Sequence, residues 1–338
     1  MRSAGGTKLS CATALQALWR GFIKLGKKVV MPNPMFKCAH LSMENSGDFV
    51  IDDVLADPHF NALGWEIDRI PWRRENVDWS AYNLVLIRTP WDYQQDPAAF
   101  LTTLERIAKS GTILQNPLRI VRWNMDKTYL RDLASVGVPI VPTLWGEASS
   151  EMPLQSWFET LGTDEIVVKP TVSANADHTY RVRPETASEM LPMLHEVFCT
   201  RNFMVQPFLR AVLTEGEFSV FYFNGKFSHA IIKTPASGDF RVQEEHGGDI
   251  REAKADATPH YKALLEETDK VMQALKDLKF GSPMYARVDV VRLSDYGKPE
   301  EFALMELELI EPSLYLRTSE GAPERFAQAV HDWMNQKC

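Results

Sequence analysis

Cysteine is scarce in this chain of 338 residues: Cys11, Cys38, Cys199 and Cys338 lie far apart, with no CxxC pair and no metal-ligand spacing. That excludes a disulfide framework and a thiolate metal site. It points to a reducing compartment, read here as the cytoplasm. Long apolar runs are also missing. None reaches the roughly 18 residues of a membrane helix, so no membrane partner is expected. The formal net charge is −8, and no Lys/Arg cluster stands out in the body of the chain. The electrostatic footprint of a nucleic-acid binder is therefore absent, and nucleic acid is not an expected partner. Internal repeats and low-complexity tracts are absent as well.

A local absence marks the N-terminus. Residues 1–43 hold no Asp or Glu but carry Arg2, Lys8, Arg20, Lys24, Lys27 and Lys28, and Ala14 to Leu25 has amphipathic helical spacing. An organelle transit peptide fits this description. So does a start assigned too early, with Met31 or Met35 as the true one, and we favour the second reading. Either way residues 1–34 are expected to lie outside the fold as a non-core basic extension.

What is present is globular: 45% hydrophobic and 24% charged residues, enough for two or three core-forming units. From Phe36 strands and helices alternate. FKCAHLS reads as a strand, Asp52 to Gly64 as a helix stopped by glycine, and Trp65 to Trp72 and Ala81 to Pro90 as strands. Pro97 to Gly111 reads as a helix with proline in its first turn, and Thr112 to Pro117 as a last strand. That order predicts an α/β unit with a largely parallel sheet over residues 35–120. Further on, Asn124 to Thr143 reads as a helix, a glycine stop and an extended strand. Glu165 to Val172 and Phe203 to Leu209 read as strands. Glu217 to Pro235 is a hairpin turning at Asn224-Gly225. Thr258 to Leu278 and Pro323 to Gln336 read as helices. The fold class is α/β and α+β, with units expected at 35–120, 121–210 and 211–338.

The richest chemistry lies in YARVDVV (Tyr285 to Val291) and MELELIEP (Met305 to Pro312). Both read as strands, and the intervening SDYGKPEE has turn chemistry. Side chains alternate faces, so a symmetric hairpin sets Asp289 opposite Glu306 and Arg287 opposite Glu308. Three converging carboxylates need a cation, and hard oxygens suit Mg²⁺. The same pattern also describes a hairpin with one solvated acidic face.

Other signals are individually weak. Lys127 follows NMD, and Lys169 ends an apolar strand, where an ammonium needs an anion or must snorkel to water. Gln206 and Pro207 end a strand, and Phe208 and Leu209 follow with free backbone groups. Glu215 and Glu217 open a hairpin strand. Arg241 offers a planar fork for oxyanions. Arg88 leaves a buried strand at its C-terminal end, followed by Trp91, Asp92 and Tyr93. An Arg, an acid and two aromatics suit a small zwitterion, with Arg88 for its carboxylate and Asp92 for its amino group. A structural Arg–Asp pair is the competing reading.

The order of these residues resembles the ATP-grasp superfamily, as in glutathione synthetase. The resemblance implies an ATP-grasp fold with ATP and Mg²⁺ (or Mn²⁺) as cofactors. It implies that Lys127 and Lys169 hold the ATP phosphates and that Gln206, Pro207, Phe208 and Leu209 form the adenine hinge. Glu217 would meet the ribose, and Arg241 the transferred phosphoryl group. Asp289, Glu306 and Glu308 would hold metal, Glu308 standing where many relatives have Asn. RTPWDY (Arg88 to Tyr93), NPLRIVRWNMDKTYL (Asn116 to Leu130), VPTLW (Val141 to Trp145) and KTPASGDFRVQ (Lys233 to Gln243) are similar to the subgroup containing the cyclo-ligase of cycloserine biosynthesis, which closes O-ureido-serine onto its own carboxylate. The implied activity is ATP-dependent carboxylate–amine ligation through an acyl phosphate. An intramolecular cyclo-ligase and a non-catalytic nucleotide-binding module are the alternatives. The expected partner is a small amino-acid or peptide substrate, and a homodimer is compatible with this reading.

One departure stands out. The family's phosphate-covering loop is usually glycine-rich, whereas TVSANADHTY (Thr171 to Tyr180) has no glycine. Ser173, Asn175 and Thr179 could cradle phosphate in its place. His178 is a weak candidate base, and a packing or solvent role is the preferred reading for it.

Overall fold

The computed structural model describes residues 35–47, 49–149, 151–173, 176–244 and 247–337. The basic stretch before residue 35 and Asn175 lie outside the described residues.

The alternating first part builds a four-stranded sheet from β1 (Phe36–Ser42), β2 (Trp65–Pro71), β3 (Leu84–Thr89) and β4 (Ile113–Gln115). Their order is β2-β1-β3-β4 and every pair is parallel, as the alternation of elements predicts. Parallel strands need crossovers that cover the sheet, and all six residues of β3 are buried. The crossover after β1 is a 3₁₀ turn (Asp52–Ala56) running into α1 (Asp57–Ala62), rather than one helix. After β3 comes α2 (Pro97–Lys109). Asp96 caps it by accepting from Ala99 N, and Phe100, Thr103, Leu104 and Ile107 form its buried face.

Two short helices follow, α3 (Leu118–Asn124) and α4 (Tyr129–Ser135), where the sequence suggested only the second. The next sheet is antiparallel. It contains β5 (Leu144–Gly146), β6 (Ile166–Pro170), β7 (Tyr180–Val182) and β8 (Phe203–Pro207), in the order β5-β8-β6-β7. Helices α5 (Leu154–Leu161) and α6 (Pro184–Phe198), both unassigned by the sequence reading, cover it. Phe158, Ile166, Val168, Leu194, Phe198 and Phe203 make a core belonging to this sheet and its helices.

The third sheet has five strands: β9 (Glu217–Phe223), β10 (Lys226–Thr234), β11 (Asp249–Glu252), β12 (Tyr285–Leu293) and β13 (Lys298–Glu308), in the order β11-β10-β9-β12-β13. β9 and β10 turn at Asn224-Gly225, both with positive φ, as the Asn-Gly signal requires. A short α7 (Ala211–Thr214) precedes this sheet, and α8 (Tyr261–Asp277) packs on it together with α4: Tyr129, Leu130 and Leu133 share a core with Val271, Leu275, Val288 and Leu307. On the other face α9 (Ala322–Asn335) lies against the first sheet. Phe60, Trp65, Leu84, Phe221, Tyr285 and Phe326 form one continuous core. The first and third sheets are therefore welded together, whereas the second has a core of its own.

Candidate active site

Alternation and hairpin register decide which side chains meet. β12 and β13 pair Arg287 with Glu308 and Asp289 with Glu306, so all four fall on one face. β9 and β10 add Glu217 opposite Lys233, and β9 sets Ser219 beside Asp289. Gly216 makes this close approach feasible: its φ is +96°, and a Cβ there would lie 2.8 Å from the Lys233 carbonyl oxygen.

The result is an alternating charge network. Arg287 Nε donates to Asp289 Oδ2 at 3.0 Å, and its guanidinium also pairs with Glu308. Ser219 donates to Asp289, and the Lys233 ammonium lies 3.6 Å from Asp289 while pairing with Glu217. Lys127 Nζ meets Glu306 at 3.0 Å and donates to Ser173 O at 2.8 Å. Burial pushes the Asp289 carboxyl up, but Arg287, Lys233 and Ser219 overcome it, and the group sits below its ordinary value. Glu306 is likewise low, with Lys127 and Lys169 outweighing burial. Glu308 is pushed up to about 7, by burial first; Arg287 opposes, and Glu306 and Asp289 add repulsion.

Among the described residues no group of three or more His, Cys, Asp or Glu is arranged to hold a metal ion. The expectation of a three-carboxylate cation site is corrected to that extent, because protein cations answer each carboxylate. Asp289 is committed to Arg287, Ser219 and Lys233. Glu306 and Glu308 keep side chains 30% and 27% exposed, and both line the central cavity. Their hard oxygens fit Mg²⁺, which takes one or two carboxylates and completes its shell with phosphate oxygens and water.

Two asparagines hold this strand in place. Asn124 donates to Leu307 O and accepts from Leu309 N, while Asn116 donates to Leu309 O and accepts from Met284 N. Each side-chain amide thus replaces a missing ladder partner where β13 runs off its sheet.

The opposite side of the cavity comes from the second sheet. Lys169 on β6 lines it and forms no ion pair among the described residues; burial draws its pKa down. Gln206, Pro207, Phe208 and Leu209 line it at the end of β8, with Gln206 donating to Thr143 Oγ1 at 3.0 Å. Val141, Val167, Val212, Met305 and Leu307 complete an apolar slot beside them. Ser173 and Thr179 also border the cavity, whereas His178 lies beside Tyr180 and does not. Arg241 borders it with its guanidinium held by Asp239 at 2.8 Å. Glu215 is committed to Arg292 and Ser294.

The sheet-one loop corrects a second expectation. Trp91 and Tyr93 reach the cavity, but Arg88 and Asp92 do not. Arg88 is 1% exposed: its Nε pairs with Asp53 Oδ2 at 2.7 Å and its Nη2 donates to Pro312 O at 2.9 Å. Asp92 accepts from Trp72 Nε1 at 2.7 Å and from Arg73. Both charges are consumed by structure, so neither can grip a substrate.

The sequence reading missed Lys233, Arg287 and Glu311 as candidates. The hairpin register could have found the first, since Glu217 faces Lys233. Arg287 was placed among the carboxylates and not counted. Glu311 lies within the MELELIEP run but three residues past Glu308, beyond the end of β13, where alternation no longer predicts direction.

Comparison with known proteins speaks to the family and the fold. Residues 38–116 match a family model described as the N-terminal domain of D-cycloserine synthetase DcsG. The cycloserine biosynthesis protein DcsG of Streptomyces lavendulae is 32% identical over 264 residues, 77% of this chain and 86% of that protein. The crystal structure of D-cycloserine synthetase DcsG superposes with a TM-score of 0.75 and 27% identity, covering 88% of this chain and 99% of that one. The D-alanine–D-alanine ligase of Bacillus anthracis, in complex with ATP, gives a TM-score of 0.61 at 16% identity, covering 89% and 98%.

Proposed function

This chain belongs to the DcsG family of ATP-grasp proteins, and on that premise we propose that it is an ATP-dependent carboxylate–amine ligase acting on a small amino-acid-like substrate. One observation carries the reading: Lys127, Lys169, the Gln206–Leu209 edge, Arg287, Asp289, Glu306 and Glu308 all border one cavity. In this proposal the adenine lies in the apolar slot against Gln206 to Leu209, with Glu217 toward the ribose. Lys127 and Lys169 hold the phosphates. The unpaired ammonium of Lys169 favours this, because a phosphate would supply the anion it lacks.

Glu306 and Glu308 would hold Mg²⁺ brought with the nucleotide; Mn²⁺ would serve the same donors. Held by these two carboxylates, it would supply neutralisation of phosphate charge. The substrate carboxylate oxygen attacks the γ-phosphorus, ADP leaves, and an acyl phosphate forms. An amine nitrogen then attacks the carbonyl carbon, loses a proton and expels phosphate, forming the amide. The chain's own contribution is placement and charge: Arg287 and Lys233 lie beside the acyl oxygen, and Arg241 comes off Asp239 toward the transferred group. Residues 35–120 would carry the acyl substrate, and 121–210 and 211–338 would enclose ATP. Work in the cytoplasm fits the free thiols of Cys38 and Cys199. No helix among the described residues is long and apolar enough to cross a membrane.

The test is ADP release with Mg·ATP and a panel of small amino acids, dipeptides and O-ureido-serine, read together with product mass. The mass separates ring closure from ligation of two molecules. No ADP release above background with any member would sink the ligase reading and leave a nucleotide-binding module.

A further inference from the structure

Six carboxylates border the cavity: Glu217, Glu244, Asp289, Glu306, Glu308 and Glu311. Five have a cation. Glu217 has Lys233, Glu244 has Arg317, Asp289 and Glu308 have Arg287, and Glu306 has Lys127. Glu311 forms no ion pair among the described residues. Burial, then the nearby Glu308, push its carboxyl well up.

Its surroundings are held firmly. Trp91 Nε1 donates to Glu311 O at 2.9 Å, Arg88 to Pro312 O at 2.9 Å, and Tyr285 Oη to Ile310 O at 3.2 Å. Tyr93 lines the same cavity, and burial, then the Glu311 charge, push its hydroxyl well up. Phe49 packs on Trp91 at 5.1 Å between ring centroids. Arg287 Nη1 approaches Ser313 O at 3.5 Å, so the guanidinium and the Glu311 to Ser313 segment border the same corner. An acid among aromatic rings, with a guanidinium lining the same cavity, matches a zwitterion in charge. Arg88 and Asp92 lie off the cavity, whereas Glu311 and Arg287 both line it.

We propose that Glu311 seats the ammonium group of an amino-acid substrate whose carboxylate is turned toward Arg287 and Lys233. Glu311 is then a specificity residue: it selects substrates bearing an amino group beside the activated carboxylate. Tyr93 orients the acid, and Trp91 fixes its backbone. Glu311 takes no part in bond making, and its contribution is to the affinity and direction of the acyl substrate.

The proposal rests on the ligase reading, and the test keeps the two apart. Paired probes are used: alanine against propanoate, serine against 3-hydroxypropanoate, and O-ureido-serine against its deaminated analogue. ADP release and calorimetric binding, the latter with a non-hydrolysable ATP analogue and Mg²⁺, are measured for wild type, Glu311→Gln and Glu311→Asp. Gln matches Glu in size and keeps a polar head, so the fold and ATP affinity should be retained. We expect wild type to prefer an amino member over its partner, and Glu311→Gln to weaken that preference by about tenfold to hundredfold. Glu311→Asp should recover part of it. A Glu311→Gln protein that keeps the wild-type preference, or a wild type with none, overturns the proposal while the ligase reading stands. No binding and no ADP release with any pair overturns both.

Discussion

The two walls of the cavity are built on opposite principles. The wall from the third sheet is welded to the first sheet through a shared core, and its charges are interlocked: Arg287 between Asp289 and Glu308, Lys233 between Glu217 and Asp289. The wall from the second sheet has a core of its own, and its one cavity lysine on β6, Lys169, has no ion-pair partner among the described residues. Apart from Glu311, the carboxylates of the first wall are already satisfied without a ligand. The second leaves a charge waiting for one. A site of this kind can hold its chemical groups in place and still let one wall adjust as the nucleotide enters.

The comparison breaks most visibly at Arg88. Arg88→Ala leaves Asp53 buried without a cation and frees the Pro312 carbonyl. Chemical denaturation should show a loss of about 3–5 kcal/mol. Selective damage to the KM of the acyl substrate with stability intact would instead restore the substrate-contact reading of this residue.

Acid provides a second break, because the welded body buries two histidines. Burial lowers His40 to about 3 and His229 to about 4, against an ordinary value of 6.5. The folded state resists protons that the unfolded chain binds. Stability from each histidine is therefore complete above pH 6.5 and is lost as pH falls toward its folded value, by about 1.4 kcal/mol per unit. Neither ring nitrogen of His40 has a hydrogen-bond partner among the described residues, so His40→Leu should fold. It should flatten the stability–pH slope between about pH 6 and 4.5 by one such increment. An unchanged slope would show that His40 is protonated in the fold.

The smallest expected stability effect sharpens the contrast between the lysines. Lys169→Met should leave the ligand-free protein as stable or slightly more so, because it removes a half-buried cation with no ion-pair partner among the described residues. Lys127→Met should cost about 1 kcal/mol, since Glu306 and the Ser173 carbonyl lose their donor. Both should weaken ATP binding at least about tenfold. Equal stability losses would mean that Lys169 has a partner in solution.

Local pattern carried much of this fold. The parallel sheet followed from the alternation of elements, the β9–β10 turn from Asn224-Gly225, and the facing of Asp289 with Glu306 from period-two alternation about a turn. What escaped were partnerships at long range. Arg88 and Asp53 lie 35 residues apart, and Arg88 and Pro312 224. A sequence shows an arginine at a strand end but not which acid will reach it. The loop of Arg88 to Tyr93 was thus read as a binding loop, although two of its four charged or aromatic residues brace the scaffold. The same holds for Asn116 and Asn124, which sit in a recognisable stretch but act on a strand about 170–190 residues away.

Backbone amide hydrogen exchange, with and without Mg·ATP, measures the two walls together. The account predicts that β12 and β13 are already protected in the free protein and change little. Strands β6 and β8 and the Gln206–Leu209 edge should exchange faster when free and gain protection on adding nucleotide. Equal protection of both walls in the free protein, or no nucleotide-dependent change at residues 206–209, would contradict it.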